Sequence, residues 1–385
     1  MKASRFLTLC SFIIFMGSYP ALAQENVGQA VYLDGNVSIE RDGQQLDQSD
    51  IQTGLEVQNF DLMKTGSDGL AEVNVDNPKV PAITLRVSPR TQFSFELSKL
   101  GSRQQASVGL LGGNISLKVA KLSSTQDLNV TMENAVMGVR GTEFSVTSVP
   151  SGDLLVVCKS GDVVLIDENG KEVHAVPGMA VERLAGMGFA TRPLGSEDPD
   201  EFAKSWEEAR ISALRTDAFS VVQREAIAYN RLVDEFDETY AALQEKKDIL
   251  TRWEAEEKSG AAASADVEKE KAEIADLLAD LRETQFLLER VRFRLARLEE
   301  YHQQQGLGDG EISKGLTTTA FFNFFDKDGP KLERELAIVQ MVVKLYTHRN
   351  GDSDPTLVTD LHKFYERRIA HLKRLQHRTL EKKQS

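Results

Sequence analysis

The sequence predicts an all-β N-terminal domain (an antiparallel β-sandwich, a roll or a short β-solenoid) followed by an all-α coiled-coil or helical-bundle region. Three observations carry that reading. From Val27 to about Arg192 apolar residues alternate with a period of two, and turn signals return about every 8–12 residues. After Gly195 glycine disappears until Gly260, and Glu, Lys, Ala and Leu take over. From Phe219 onward the apolar residues fall on heptads. The chain of 385 residues is long enough for two or three domains.

The first segment reads as an address. Lys2 and Arg5 supply a positive start, and Phe6 to Met16 is an apolar run too short to span a bilayer, which needs roughly 20 residues. Ala21-Leu22-Ala23 then completes a secretory signal, with cleavage expected between Ala23 and Gln24. The mature chain is expected to hold no membrane span and to be periplasmic or otherwise exported. Its single thiol, Cys158, lies in the run Leu154-Leu155-Val156-Val157-Cys158 and is read as buried in a strand.

The strands follow in order. Ala30 to Glu40 gives two short strands around Asp34-Gly35-Asn36. Leu70 to Val75 alternates cleanly and is closed by Asp76-Asn77-Pro78; Ile83 to Val87 ends at Ser88-Pro89. Phe93 to Leu97 repeats the pattern. After Gly112-Gly113, the residues Ile115, Leu117 and Val119 share one face. Leu128 to Met132, Glu143 to Val149, Asp153 to Cys158 and Asp162 to Ile166 continue the series. Asn169-Gly170 marks a hairpin into Val173 to Val176, and Pro177-Gly178 turns into a last strand near Met179 to Leu184.

Within this half, Gly138 and Gly141 bracket a single arginine, Arg140, in a strand context. Glycine there suits a bulge or a sharp corner. The Arg140 guanidinium either ties nearby carbonyls or a carboxylate, or presents a fork to a carboxylate or phosphate ligand. Thr142 is read as a hydroxyl-to-backbone contact and Phe144 as core.

The segment Ala135 to Val146, with Val139-Arg140-Gly141-Thr142-Glu143-Phe144 at its centre, resembles the V-R-G-T-x-F signature of the FecR domain. That domain was first known from periplasmic regulators of iron-dicitrate transport. Gly35-Asn36-Val37, Leu62 to Ala71, Gly113-Asn114-Ile115, Val157 to Val164 and Pro177-Gly178 match the family's other elements in the right order. The resemblance covers about 27–190. Asn59-Phe60-Asp61 stands where the family usually has Gly-Asp, and Met132-Glu133-Asn134 where it often has Thr-Pro. The resemblance implies a periplasmic sensor on an anti-sigma pathway. A typical regulator places a cytoplasmic helical segment and a spanning helix before the domain. Here a signal peptide comes first, so a soluble periplasmic module is expected.

The helical half opens at Ser196-Glu197-Asp198-Pro199, an N-terminal helix signal with acids in the first turn. One heptad column is Phe219, Ala226, Val233, Tyr240, Lys247; the other is Val222, Tyr229, Phe236, Leu243, Leu250. A second helix, from about Ser264 to Gln304, has columns Ile274, Leu281, Leu288, Leu295 and Leu277, Thr284, Val291, Leu298. This predicts a hairpin within one chain or a dimeric coil that would make a homo-oligomer. The Tyr and Phe of the first helix are bulky for two strands and call for a third covering helix. Gly306 to Gly310 reads as a linker, and Phe321-Phe322 and Phe324-Phe325 as a short helix packed on the rod. Asp328-Gly329-Pro330 reads as the start of another helix, and Pro355 to about Lys382 as a last, basic one. The expected organisation is a signal peptide over 1–23, a β domain over 24–194, a helical hairpin over 195–310, and a segment over 311–385 that packs on the coil or extends it.

Composition narrows the function. Lys plus Arg is 46 against 59 for Asp plus Glu, a net −13, which disfavours nucleic acid as a partner. Cys10 and Cys158 cannot build a disulfide framework or a thiolate zinc cage. No residue set with catalytic, cofactor-binding or metal-ligand spacing stands out. The leading expectation is a non-enzymatic exported protein whose β domain recognises a protein or an envelope polymer and whose helices mediate assembly. A FecR-type sensor is the alternative. An envelope hydrolase is the third reading, marked by close carboxylates with perturbed pKa in a cleft.

Overall fold

A computed structural model of the chain describes residues 26–349, apart from 42, 78–79, 101–102, 122–125, 133–134, 140, 168–169 and 261–265. The signal segment, the expected cleavage site at Ala23 and Gln24, and the expected basic helix from Pro355 lie outside the described residues.

The N-terminal half is all-β, as expected. It begins with β1 (Asn26–Asp34), β2 (Val37–Arg41), β3 (Gln44–Gln45), β4 (Glu56–Gln58), β5 (Leu62–Thr65) and β6 (Leu70–Val75). Then come β7 (Ile83–Val87), β8 (Gln92–Leu100), the long β9 (Arg103–Val119), β10 (Gln126–Thr131), β11 (Ala135–Val139) and β12 (Glu143–Ser148). It closes with β13 (Leu154–Ser160), β14 (Val163–Asp167), β15 (Glu172–Ala175), β16 (Met179–Arg183) and β17 (Phe189–Pro193).

The strands form one open hydrogen-bonded network folded into two leaves about β9. One leaf runs β4-β1-β6-β7-β9-β12-β13-β16-β17. The other runs β3-β2-β5-β8-β9-β10-β11-β14-β15. The first half of β9 belongs to the second leaf and its last residues to the first. The bend falls at Gly112-Gly113, where Gly113 takes φ +97 and Thr91 occupies the space that a Cβ there would need. Alternation then sends one side chain in two between the leaves. In register, Val73, Leu85, Leu117, Phe144 and Cys158 make one inner row across five strands.

The expected antiparallel pairing holds with one correction: β9 and β10 are parallel. The chain passes from one leaf to the other along β9, then returns beside its own first half. A strand that comes back after a full turn around the core must run parallel to the one it left.

The C-terminal half is helical: α1 (Pro199–Gln244), α2 (Lys247–Ser259), α3 (Val267–Gln305) and α4 (Thr318–Arg349). Asp198 caps α1 by accepting from the amides of Asp200 and Glu201, with Pro199 in the first turn. Residue Asp217 leaves helical geometry (φ −115, ψ 19), so residues 199–216 form an arm at an angle to the rest of α1. Beyond it, α1 and α3 run antiparallel. Lys246 pairs with Glu273 at 3.2 Å, and the Trp253 indole donates to Glu270 at 2.7 Å. Val222, Tyr229, Phe236 and Leu243 interlock with Ile274, Leu281, Leu288 and Leu295, all buried.

α4 is the third helix that covers the aromatic face. Phe325 and Phe321 meet Tyr229 edge-on at 5.2 and 6.1 Å, and Tyr346 meets Trp253 at 6.1 Å. Here the fold adds one element and corrects one expectation. Residues after Gly310 form a small hairpin, β18 (Glu311–Ser313) with β19 (Leu316–Thr317), whose Ile312 is buried and accepts from Gln223. No new helix starts at Asp328: α4 runs through Pro330. A proline inside a helix costs about 3 kcal/mol. Burial of Leu332, Leu336 and Val339 after it, and of Phe321 and Phe325 before it, holds one continuous helix against that cost.

The two halves are joined by packing as well as by the chain. Phe202, Ala203 and Trp206 of the arm bury against Leu155, Val157 and Ala180 on the outer face of β13 and β16. Arg282 of α3 pairs with Glu96 of β8 at 2.6 Å. Among the described residues no helix is long and apolar enough to cross a membrane.

Candidate functional site

The signature segment is a corner. β11 lies in one leaf and β12 in the other, and Gly141 and Thr142 lead the chain into β12. Gly141 takes φ +63, which an L side chain adopts only with strain. Gly138 differs from its sequence reading: its φ is ordinary for a strand, and a Cβ there would meet nothing within 4 Å. The Thr142 carbonyl accepts from Val119 at 2.9 Å. Its buried hydroxyl, expected to bond to backbone, has no hydrogen-bond partner among the described residues. Phe144 is buried between Leu117 and Cys158 in the inner row. Arg140 itself lies outside the described residues. The Cys158 thiol donates to the Ser160 carbonyl, and burial pushes its pKa up to about 11, so it is a packing group.

The Asn59-Phe60-Asp61 turn also carries the chain between leaves. Asp61 is buried, accepts from the Gln58 amide at 2.8 Å and pairs with Arg41 at 2.7 Å. Phe60 sits at φ +70, and Asn59 bridges to the amide and carbonyl of Leu97.

A concavity of about 1260 Å³ forms a groove on the outer face of the first leaf. Its floor is β6, β7, β9, β12 and the end of β13. Outward-facing residues sit in register there: Glu72, Arg86, Ser116 and Ser145 form one row, and Thr84, Lys118 and Glu143 the next. Arg86 pairs with Glu72 at 2.8 Å. The α1 arm makes one wall through Lys204, Glu207, Glu208, Ile211 and Arg215; Phe293, Arg297 and Tyr301 of α3 make the other. Lys159 of β13 pairs with Asp200 of the arm at 2.6 Å and closes one corner.

Arg90 stands at the rim. It occupies the β7–β8 turn at φ +56, and its amide donates to the Gly66 carbonyl at 2.8 Å. A non-glycine residue held in this region costs about 1–2 kcal/mol and tends to mark a functional position. On the arm wall, burial raises the pKa of Glu207; Arg297 opposes the rise, Glu208 adds to it and Arg90 opposes it.

None of the groove cations was singled out in the sequence. Arg90, Lys118, Lys204 and Arg215 are scattered over more than a hundred positions and share no motif. Only the Ser88-Pro89 turn signal, next to Arg90, hinted at any of them. His174 is exposed on the β14–β15 hairpin beside Asp162 and Glu172 and does not line the groove.

The family model described as "FecR protein" matches residues 61–164. Two crystal structures of a candidate anti-sigma factor from Parabacteroides distasonis are similar to part of the chain. Both are 12% identical, with TM-scores of 0.31 and 0.30, over 37% of this chain and 62% of that one. The similarity thus spans about three fifths of that protein's crystallised length. No curated protein matches the chain.

Proposed function

We propose that this is an exported FecR-type signal-transduction protein that acts by binding a protein partner in the groove, without catalysis. One observation carries the reading: residues 61–164, which match the FecR family, hold every strand of the groove floor. The walls come from α1 and α3, outside the match. In this reading residues 24–194 supply the recognition floor, and the arm of α1 adds contacts from the wall. The helical hairpin of 195–310 and the segment of 311–385 shape the groove and pass on its occupancy, or serve assembly. Export follows from the signal pattern ending at Ala23.

Transcript profiling of a strain lacking the chain tests this. A coherent set of genes should change, and the full sequence should restore it. The chain lacking residues 2–23, which stays in the cytoplasm, should not. An unchanged transcript profile, or restoration by a chain retained in the cytoplasm, would overturn the reading.

A further inference from the structure

Four cations from separate parts of the chain reach the same groove. Arg90 comes from the β7–β8 turn, Lys118 from the end of β9, and Lys204 and Arg215 from the α1 arm. All four are exposed, and none makes an ion pair within the described structure. Seven basic side chains line the groove against five acidic ones, in a chain whose net charge is −13. Two of those acids, Glu72 and Asp200, are already held by Arg86 and Lys159. Glu143 stands across from Lys118 in register without pairing to it. The groove is therefore a local reversal of the protein's overall sign, where an acidic ligand is drawn in and the rest of the surface repels it.

Its dimensions suit a polymer. At about 1260 Å³ it exceeds the roughly 300–1,000 Å³ typical of small-molecule pockets. The floor crosses β6, β7, β9, β12 and β13. Five strands about 4.8 Å apart span about 19 Å, the length of about six extended residues at roughly 3.3 Å each. Thr84, Asn114, Ser116 and Ser145 on the floor supply hydroxyl and amide groups for a peptide backbone. Arg90 is held in a strained backbone conformation at the mouth.

We infer that the groove takes an extended acidic polypeptide segment of about six residues from a partner protein, with Arg90, Lys118, Lys204 and Arg215 receiving its carboxylates. This rests on the protein-binding reading above.

The test uses the full chain and a fluorescein-labelled peptide of about ten residues in which Glu alternates with Ser. The same peptide with Gln for Glu is the control. At about 50 mM salt the Glu peptide should bind at least about tenfold more tightly than the Gln peptide, and the difference should shrink as salt rises. Lys118→Gln with Lys204→Gln should weaken Glu-peptide binding about tenfold with an unchanged Tm. Lys314→Gln, on the exposed β18–β19 turn, should leave binding as it was. Equal binding of the two peptides, or no effect of the double variant, would overturn the inference. So would tighter binding of an alginate oligomer, since the occupant would then be a polysaccharide. In cells, a double variant that keeps the full transcript response would also overturn it while leaving the signalling reading standing.

Discussion

The ring of Phe293 occupies the space that a side chain at Gly112 would need: a Cβ there would lie 2.4 Å from Phe293 Cε1. The bend of β9 and the docking of α3 are thus one feature. Gly112→Ala should destabilise the protein by about 1–3 kcal/mol, as overpacking does. In a double-mutant cycle by urea denaturation, Phe293→Ala should recover part of that loss in the Gly112→Ala background. Strict additivity would show that the contact is not what sets the cost.

Gly141 and Gly138 look alike in sequence and differ in the fold. Gly141→Ala forces a side chain to φ +63 and should cost about 1–2 kcal/mol. Gly138→Ala meets open space and should stay within about 0.5 kcal/mol of wild type. Thermal denaturation of both variants decides it, and equal losses would sink the corner argument.

Stability should fall as pH rises through neutrality. Burial pushes the Glu289 carboxyl up to about 7; Gln285 opposes the rise, Glu40 adds to it and Arg292 opposes it. Burial, then the charge and hydrogen bond of Asp326, raise Glu299 to about 7. Both folded-state values lie above the unfolded one, so their stabilisation is complete below about pH 4.5 and is lost through about pH 7. Tm should be roughly 5 °C lower at pH 8 than at pH 5.5. Glu289→Gln with Glu299→Gln should flatten that slope, and an unchanged slope would count against both assignments.

The α1 arm should come loose before the β core. Trp206 is buried against β13 and β16 and donates to Glu182 at 2.9 Å. Removing a buried Trp side chain costs about 3–5 kcal/mol. Because Asp217 interrupts the helix, the loss should fall locally on residues 199–216. Limited proteolysis of Trp206→Ala should show new cleavage in that stretch while the strands stay protected. Cleavage spread evenly over the β half would mean the arm is not a separate unit.

Much of the element pattern was legible. Ile115, Leu117 and Val119 do share the inner face, and Val222, Tyr229, Phe236 and Leu243 do form the buried helical column. Pro330 misled because proline is a local stop signal, and here distant packing on both sides of it outweighs the local cost. The Thr142 hydroxyl misled because hydroxyl bonding depends on what surrounds the corner, which no spacing records. The groove left almost no trace beyond the turn signal beside Arg90, because its cations sit at positions 90, 118, 204 and 215 and share no motif.

By itself the sequence determined what is local. Period two and heptad spacing dictate strand or helix and which face is apolar, because backbone geometry repeats within a few residues. The V-R-G-T-x-F segment likewise placed the FecR match in the β half. Only the tertiary structure decided which strands are neighbours, that β10 runs parallel to β9, and that α1 and α3 wall the face of β6, β7, β9 and β12. Those outcomes depend on contacts between residues far apart in the chain. Such contacts are selected by the packing of whole faces, a quantity that local spacing does not contain.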